Sequence, residues 1–102
     1  MDVSMKLFKG NLGKDPELAY TMKQEPVCKL SVAVNNENSN DGPMWHKVVV
    51  WGKQAELCKL YLKKGKEVFV QGRIELKKSI NESGTENIYQ EVLAKVVGFT
   101  NL

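Results

Sequence analysis

Apolar and polar residues alternate at every second position along several segments of this chain. In VCKLSVAVN, residues 27–35, the side chains of Leu30, Val32 and Val34 face one way and those between them face the other. This period of two is typical of a β-strand with one buried face. The remaining predicted strands cover residues 3–9, 44–51, 67–78 and 88–99.

Only one segment, KQAELCKLYLKKG at residues 53–65, has apolar residues at helical spacing. It predicts a helix with Lys63 and Lys64 in the last turn and Gly65 just after the end. The predicted order is therefore three strands, one helix and two strands. In an all-β chain with one helix, this order predicts an OB-fold: a five-stranded Greek-key β-barrel with a capping helix between strands 3 and 4.

Length and charge limit what such a barrel can do. The chain has 102 residues, so we expect a single domain over residues 1–102 that buries roughly 60–70% of its unfolded surface and encloses no large cavity. It carries 15 basic and 12 acidic residues, a formal net charge of +3. This mildly basic balance is compatible with a polyanionic partner but does not establish one.

The sequence lacks the residues that several classes of function need. Cys28 and Cys58 stand far apart, and with a single histidine in the chain they do not make a zinc site, so we interpret them as reduced, buried thiols. No nucleophile–base pair, metal set or phosphate-binding glycine loop is evident. The first residues lack the apolar stretch of a signal peptide, and no segment is long enough for a membrane helix. We expect a cytoplasmic protein without enzymatic activity, metal or cofactor.

The segment MWHKVVVWGK, residues 44–53, contains both tryptophans of the chain. Strand alternation places Trp45, Lys47, Val49 and Trp51 on one face, and His46 with two valines on the other. Indole rings stack on bases of any sequence, and a lysine between them can meet phosphates. Tryptophans of β proteins are also often core or interface anchors, and the pattern leaves both interpretations open. Further basic candidates for a nucleic-acid path are Lys53, Arg73, Lys77 and Lys78.

Four segments resemble the bacterial single-stranded DNA-binding protein family, which has an OB-fold. They are GNLGKDPEL at 10–18, WHKVVVWGKQAE at 45–56, YLKKGKEVFVQGRI at 61–74 and EVLAKVV at 91–97. Their order and spacing also match, and the resemblance extends from about residue 5 to residue 99. The combination of these motifs is highly specific.

The resemblance implies sequence-independent binding and protection of single-stranded DNA in replication, recombination and repair, by a homotetramer. It implies that Trp45 stacks on a base and that Trp51 replaces a phenylalanine with the same role. The histidine that matches His46 supports subunit association in the family. The lysines that match basic positions on the family's DNA path are Lys47, Lys53, Lys77 and Lys78.

The sequence also departs from the family pattern. Aromatic residues common in the family are missing from NNENSN and KKSINES, and Glu75 occupies a position that is often basic. Family members typically continue into a flexible linker and an acidic tip that recruits replication and repair enzymes. The sequence stops at Leu102. Whether the chain is truncated or a short variant, for example from a phage or plasmid, we expect no recruitment through such a tip.

Two other functions remain open on the sequence alone. The missing aromatics favour an accessory subunit, a primosome-like protein or a paralogue, that acts mainly through protein–protein assembly. The retained stripe of Trp45, Lys47 and Trp51 argues against it. An RNA-binding OB module is the second alternative, because bases of DNA and RNA stack alike on aromatic rings.

Overall fold

The computed structural model describes residues 5–35 and 42–99. In these residues six β-strands and one α-helix follow each other: β1 (Met5–Leu12), β2 (Glu17–Tyr20), β3 (Pro26–Val34), β4 (Met44–Trp51), α1 (Lys53–Tyr61), β5 (Glu67–Ile80) and β6 (Glu86–Phe99). The five strands that the sequence predicts correspond to β1, β3, β4, β5 and β6. Most of the polar loop predicted near residues 36–43 lies outside the described residues.

Strand β1 closes the sheet on itself. It pairs antiparallel with β5 from Met5 to Asn11 and with β3 at Asn11 and Leu12. Because β5, β6, β4 and β3 are hydrogen-bonded in this order, the five strands form a closed ring. Strands β4 and β6 are parallel where Val48 pairs with Val92. The all-β prediction with one helix is confirmed, and the closed ring is consistent with an OB-fold.

One face of each strand supplies the core inside the ring. Val48 and Val50 of β4 are buried, while their neighbours on the strand are more exposed, as the alternating pattern predicts. Each buried valine stabilises the fold by about 1.5–3 kcal/mol relative to an exposed one. The other buried apolar residues are Leu12, Cys28, Leu30, Val32, Ala55, Cys58, Leu62, Val68, Val70 and Val92.

Strand β2 is an addition that the sequence did not predict. Residues 10–20 read as turn-rich, yet Glu17–Tyr20 pairs antiparallel with the first half of β3, with Leu18 opposite Cys28. Three of its four residues are exposed, so the segment carries no alternating apolar pattern. The helix accordingly falls between the fourth and fifth strands of the structure, although it falls between the third and fourth strands of the ring.

Helix α1 is shorter than predicted. It ends at Tyr61, and Leu62 is already extended and buried, so the placement of Lys63 and Lys64 in its last turn was wrong. The chain must turn here to begin β5 at Glu67, and tertiary hydrogen bonds hold the turn. The Lys64 N–H donates to Oδ1 of Asp15 at 2.8 Å.

The β5–β6 hairpin is longer than its predicted strands. Its pairing continues to Ile80 opposite Glu86, and the Asn81 side chain accepts hydrogen bonds from the Thr85 N–H at 2.9 Å and the Ser83 hydroxyl at 2.8 Å. A glycine inside a strand indicates a bend or a bulge, and at Gly72 the structure has one, because the register with β6 shifts between Gln71 and Gly72. This shift bends the hairpin as it leaves the ring.

Both cysteines are buried and unpaired, as the sequence analysis predicts. Cys28 lies on β3 and Cys58 on α1, and both belong to the core. Burial raises the pKa of the Cys58 thiol to about 12, so it is protonated at neutral pH. A protonated, inaccessible thiol is a poor nucleophile, which makes both residues packing elements.

Candidate nucleic-acid interface

Both tryptophans lie on the outer face of β4. Trp45 is 58% exposed and Trp51 is 44% exposed, and Lys47 is exposed between them. The valines of the opposite face fill the core, so the faces predicted from strand alternation are confirmed. Within the chain the indoles are therefore not core anchors. Two accessible rings can each stack on a base, and the ammonium between them can contact a phosphate.

The backbone at Gly13 forms the seat of the Trp45 indole. A methyl group at Gly13 would overlap Cζ3 and Cη2 of Trp45, so only a residue without a side chain leaves room for the ring. The Gly13 N–H donates to the carbonyl of Ser31 at 2.9 Å, which fixes this backbone against β3. The turn between β1 and β2 thus supports one side of the indole while more than half of the residue's surface stays exposed.

Substitution of Gly13 by alanine is expected to displace Trp45. The added methyl group and the indole cannot occupy the same space, and an exposed indole can rotate away at lower cost than the hydrogen-bonded backbone can move. We expect the Gly13→Ala variant to bind single-stranded DNA about three-fold or more weakly, a part of the ~1–3 kcal/mol that one stacked base contributes. Fluorescence titration measures this, and Gly98→Ala, whose Cβ would make only an ordinary contact with Phe69, is the control for added bulk. If Gly13→Ala and the parent protein bind DNA with equal affinity, the Gly13 backbone does not position the Trp45 indole for binding.

Two shallow cavities lie on the outer face next to Val49. One, of about 200 Å³, is lined by Lys14, Lys29, Ser31, Lys47, Tyr89 and other residues. The second, of about 300 Å³, is lined by Trp51, Glu75, Lys77, Leu93 and others. The residues common to both are Lys29, Val49 and Glu91, so we treat the pair as one groove. Its halves are small for a drug-sized ligand but open enough for the single bases and phosphates of an extended strand.

Lys47 projects into this groove against an aromatic ring. Its ammonium lies 4.6 Å from the centroid of the Tyr89 ring, within the range of a cation–π interaction. Tyr89, Lys14 and Lys29 were not predicted from the sequence as residues of the site. Tyr89 is forty-two residues away along the chain, and only the parallel pairing of β4 with β6 brings it beside Lys47.

The predicted basic residues do not all line the groove. Lys77 does, with its ammonium 3.6 Å from Glu75. Lys78 lies on the other face of the hairpin and pairs with Glu86 at 3.5 Å. Arg73 lines a separate cavity and lies 3.9 Å from Glu75. The structure therefore brings Lys77 to Trp51 and leaves Lys78 and Arg73 away from it. Alternation along β5 separates Lys77 from Lys78, so the sequence carried this information.

Lys53 begins helix α1 and is exposed, two residues after Trp51. It lines neither half of the groove. The acidic residues Glu17, Glu75 and Glu91 do line it, and they reduce its positive potential. Glu75 in particular lies between Arg73 and Lys77 and partly neutralises both. Glu75 occupies a position that is often basic in the family, so its place in the groove makes this part of the surface less positive.

His46 lies on the inner side of β4, away from the tryptophans. Its ring stacks on Phe8 of β1 with centroids 4.5 Å apart, and the residue is half-buried. Burial, with a smaller contribution from the charge of Lys6, lowers the pKa of His46 below its ordinary value of 6.5. The ring is therefore neutral at pH 7 and acts as an apolar surface between β1 and β4.

Acid is expected to weaken the protein through His46. Because its pKa is lower in the folded state, the unfolded chain binds the proton more readily. The free energy of unfolding should be highest above pH 6.5. It should fall as the pH drops through that value and become constant below the folded-state pKa of His46. Urea unfolding at pH 7.5 and pH 5.5, at one protein concentration, measures the loss. The chain has one histidine, so His46→Gln should remove most of this dependence, and an unchanged dependence would contradict the assignment.

The fold and this surface define a class of protein. A closed ring of strands with one helix, and a groove lined by Trp51, Tyr89 and lysines with Trp45 exposed on the same face of β4, are the features of an OB-type nucleic-acid-binding protein. The profile of the single-strand binding protein family matches residues 5–100, and the chain belongs to this family. Its activity is the binding of single-stranded DNA, and the family is one of DNA-binding proteins, not enzymes. Within residues 5–35 and 42–99, the chain has no helix of the length and apolar character needed to cross a membrane.

Proposed function

We propose that this protein binds single-stranded DNA without sequence preference and protects it during replication, recombination and repair in the cytoplasm. The observation that carries the proposal is the pair of exposed indoles on one face of β4 with Lys47 between them. Bases stack on Trp45 and Trp51, and the ammonium groups of Lys47 and Lys77 contact phosphates. Lys53, beside Trp51 at the start of α1, extends the basic path.

Stacking makes the tryptophans reporters of their own function. Both tryptophans of the chain belong to the proposed site, so titration with oligo(dT) should quench most of the intrinsic fluorescence. The binding constant should fall with salt, with a log–log slope of about −0.7 for each phosphate contact. Oligo(rU) is the control for DNA against RNA. Unchanged fluorescence together with no shift of oligo(dT) in a gel would contradict the proposal.

Lys77 and Lys78 form a matched pair for testing the path of the strand. Lys77 lines the groove and Lys78 pairs with Glu86 on the opposite face. Lys77→Gln should weaken DNA binding and reduce the slope of the salt dependence by about 0.7. Lys78→Gln changes the net charge equally but should leave the slope unchanged. The same loss of slope in both variants would mean that the strand does not follow the groove.

The assembly that we propose is a homotetramer, as the family resemblance implies. An apolar patch supports it on the outer face of β1, β5 and β6, where Leu7 and Val96 lie on either side of Gln71 and Phe69 lies in the next row. Leu7 is 62% exposed, Val96 44% and Phe69 38% in the isolated chain. Exposed apolar patches of this kind mark interaction surfaces. His46, on the inner side near β1, supports the interface indirectly through Phe8.

Light scattering at micromolar protein concentration tests this assembly. The expected mass is that of four chains, and a monomer mass would contradict the proposal. The double variant Leu7→Glu/Val96→Glu should reduce the mass, because four carboxylates or more would be buried at the interface. Leu60→Glu is the control, since Leu60 is similarly exposed but lies on helix α1, away from this patch.

A further inference from the structure

The contact between Lys47 and Tyr89 is unusual for a lysine at a surface. A lysine side chain has four rotatable bonds, so an exposed ammonium normally samples many positions. Here the ammonium lies over the Tyr89 ring, 4.6 Å from its centroid, and the ring itself is half-buried in β6. The aromatic face therefore favours this position of the ammonium in the groove, about two- to five-fold, before any ligand arrives.

The Tyr89 ring contacts the Lys47 ammonium but does not neutralise its charge. Among residues 5–35 and 42–99, no carboxylate forms an ion pair with it, whereas Lys14, Lys77 and Lys78 each pair with a glutamate. An aromatic ring attracts a cation through its quadrupole and leaves the full charge available to an anion. Lys47 lines the same half of the groove as Lys14, Lys29 and Tyr89, together with Glu91 and with Glu17, which pairs with Lys14. The Lys47 ammonium is thus the charge that this half of the groove can offer to a phosphate.

We propose that Tyr89 is a positioning residue of the DNA site: Lys47 lies between Trp45 and Trp51 on β4, and the Tyr89 ring holds its ammonium in the groove, where a phosphate of the bound strand meets it. Tyr89 acts through Lys47, and the inference rests on the single-stranded DNA binding proposed above. The benefit is preorganisation, because less side-chain freedom is lost when the phosphate binds.

A double-mutant cycle tests this coupling. Affinity for a labelled oligo(dT) is measured by anisotropy, at several salt concentrations, for the parent protein, Tyr89→Leu, Lys47→Gln and the double variant. Tyr89→Leu should weaken binding about two- to five-fold, as loss of an exposed cation–π contact predicts. In the Lys47→Gln background the same substitution should have almost no effect. Tyr89→Phe keeps the ring and should bind like the parent protein.

Two controls separate positioning from a general structural effect. Tyr61→Leu removes a tyrosine of similar size on α1, outside the groove, and should leave DNA binding unchanged. Thermal unfolding of every variant verifies that it folds, and Tyr89→Phe remains informative if Tyr89→Leu does not. A loss in Tyr89→Phe equal to that in Lys47→Gln would overturn the proposal, because the ring is intact.

Other results would overturn the inference without affecting the proposed function. If Tyr89→Leu weakens binding equally in both backgrounds, Tyr89 contacts the strand directly and does not position Lys47. If Lys47→Gln weakens binding and Tyr89→Leu does not, the ammonium finds the phosphate without the ring. Failure of the parent protein to bind oligo(dT) at all would instead contradict the proposed function on which the inference rests.

Discussion

Replacement of Trp45 or Trp51 by alanine is expected to weaken the binding of single-stranded DNA by about 1–3 kcal/mol each, which is at least five-fold per tryptophan. The expectation follows from their exposure on the outer face of β4, where each ring can stack on one base. Neither side chain belongs to the core, so both variants should keep the stability of the parent protein. Anisotropy of a labelled oligo(dT) measures the affinity, and urea unfolding measures the stability.

Phenylalanine at the same positions is the matched control. Trp45→Phe and Trp51→Phe keep a π-face for a base and should retain most of the affinity, which separates stacking from any other role of the indoles. Alanine variants that bind like the parent protein would show that the strand takes another path. A large loss of stability in either alanine variant would mean that the indoles are structural anchors, for example between subunits.

A methyl group at Gly10 is expected to destabilise the fold by about 3 kcal/mol, the upper range for overpacking of a well-packed site. Gly10 lies where β1 leaves β5 to pair with β3, and this is the crossing that closes the ring. A Cβ there would overlap the carbonyl oxygen of Ala33 and lie 2.8 Å from Cγ1 of Val32. The Ala33 carbonyl is backbone of a paired strand and has little freedom to move.

Thermal unfolding measures this effect, and the expected drop in Tm for Gly10→Ala is on the order of 15 °C. Gly98→Ala is a close control, because Gly98 is also a strand glycine but its Cβ would lie 3.5 Å from Phe69, an ordinary contact. The control should change Tm by only a few degrees, in either direction. A similar, small effect of both substitutions would show that the crossing of β1 and β3 tolerates more space than the structure indicates.

Much of the interface was predictable because strand alternation is a local property. The faces of β4 follow from the order of its residues alone, since successive side chains point to opposite sides. The pattern therefore predicted that Trp45, Lys47, Val49 and Trp51 share one face and that the valines between them share the other. Burial of Val48 and Val50 in the structure then identifies the tryptophan face as the outer one. Alternation also separates Lys77 from Lys78, although both were predicted to lie on one nucleic-acid path.

Elements without such a pattern were not predictable. Strand β2 has four residues, three of them exposed, and exists because its backbone pairs with β3. The end of α1 at Tyr61 is likewise set by the turn into β5 and its contact with Asp15, although the sequence favours a longer helix. In both places hydrogen bonds to distant residues outweighed local preference.

The sequence by itself determined the five strands of the ring, the single helix, the placement of both tryptophans and Lys47 on one face and the membership of the family. Tertiary structure alone decided which distant residues complete that face. Gly13 supports Trp45 because β1 turns beside β3, and Tyr89 holds Lys47 because β6 runs parallel to β4. The physical reason is that periodicity reports the direction of a side chain relative to its own backbone. What it meets there depends on the pairing of strands far apart in the chain.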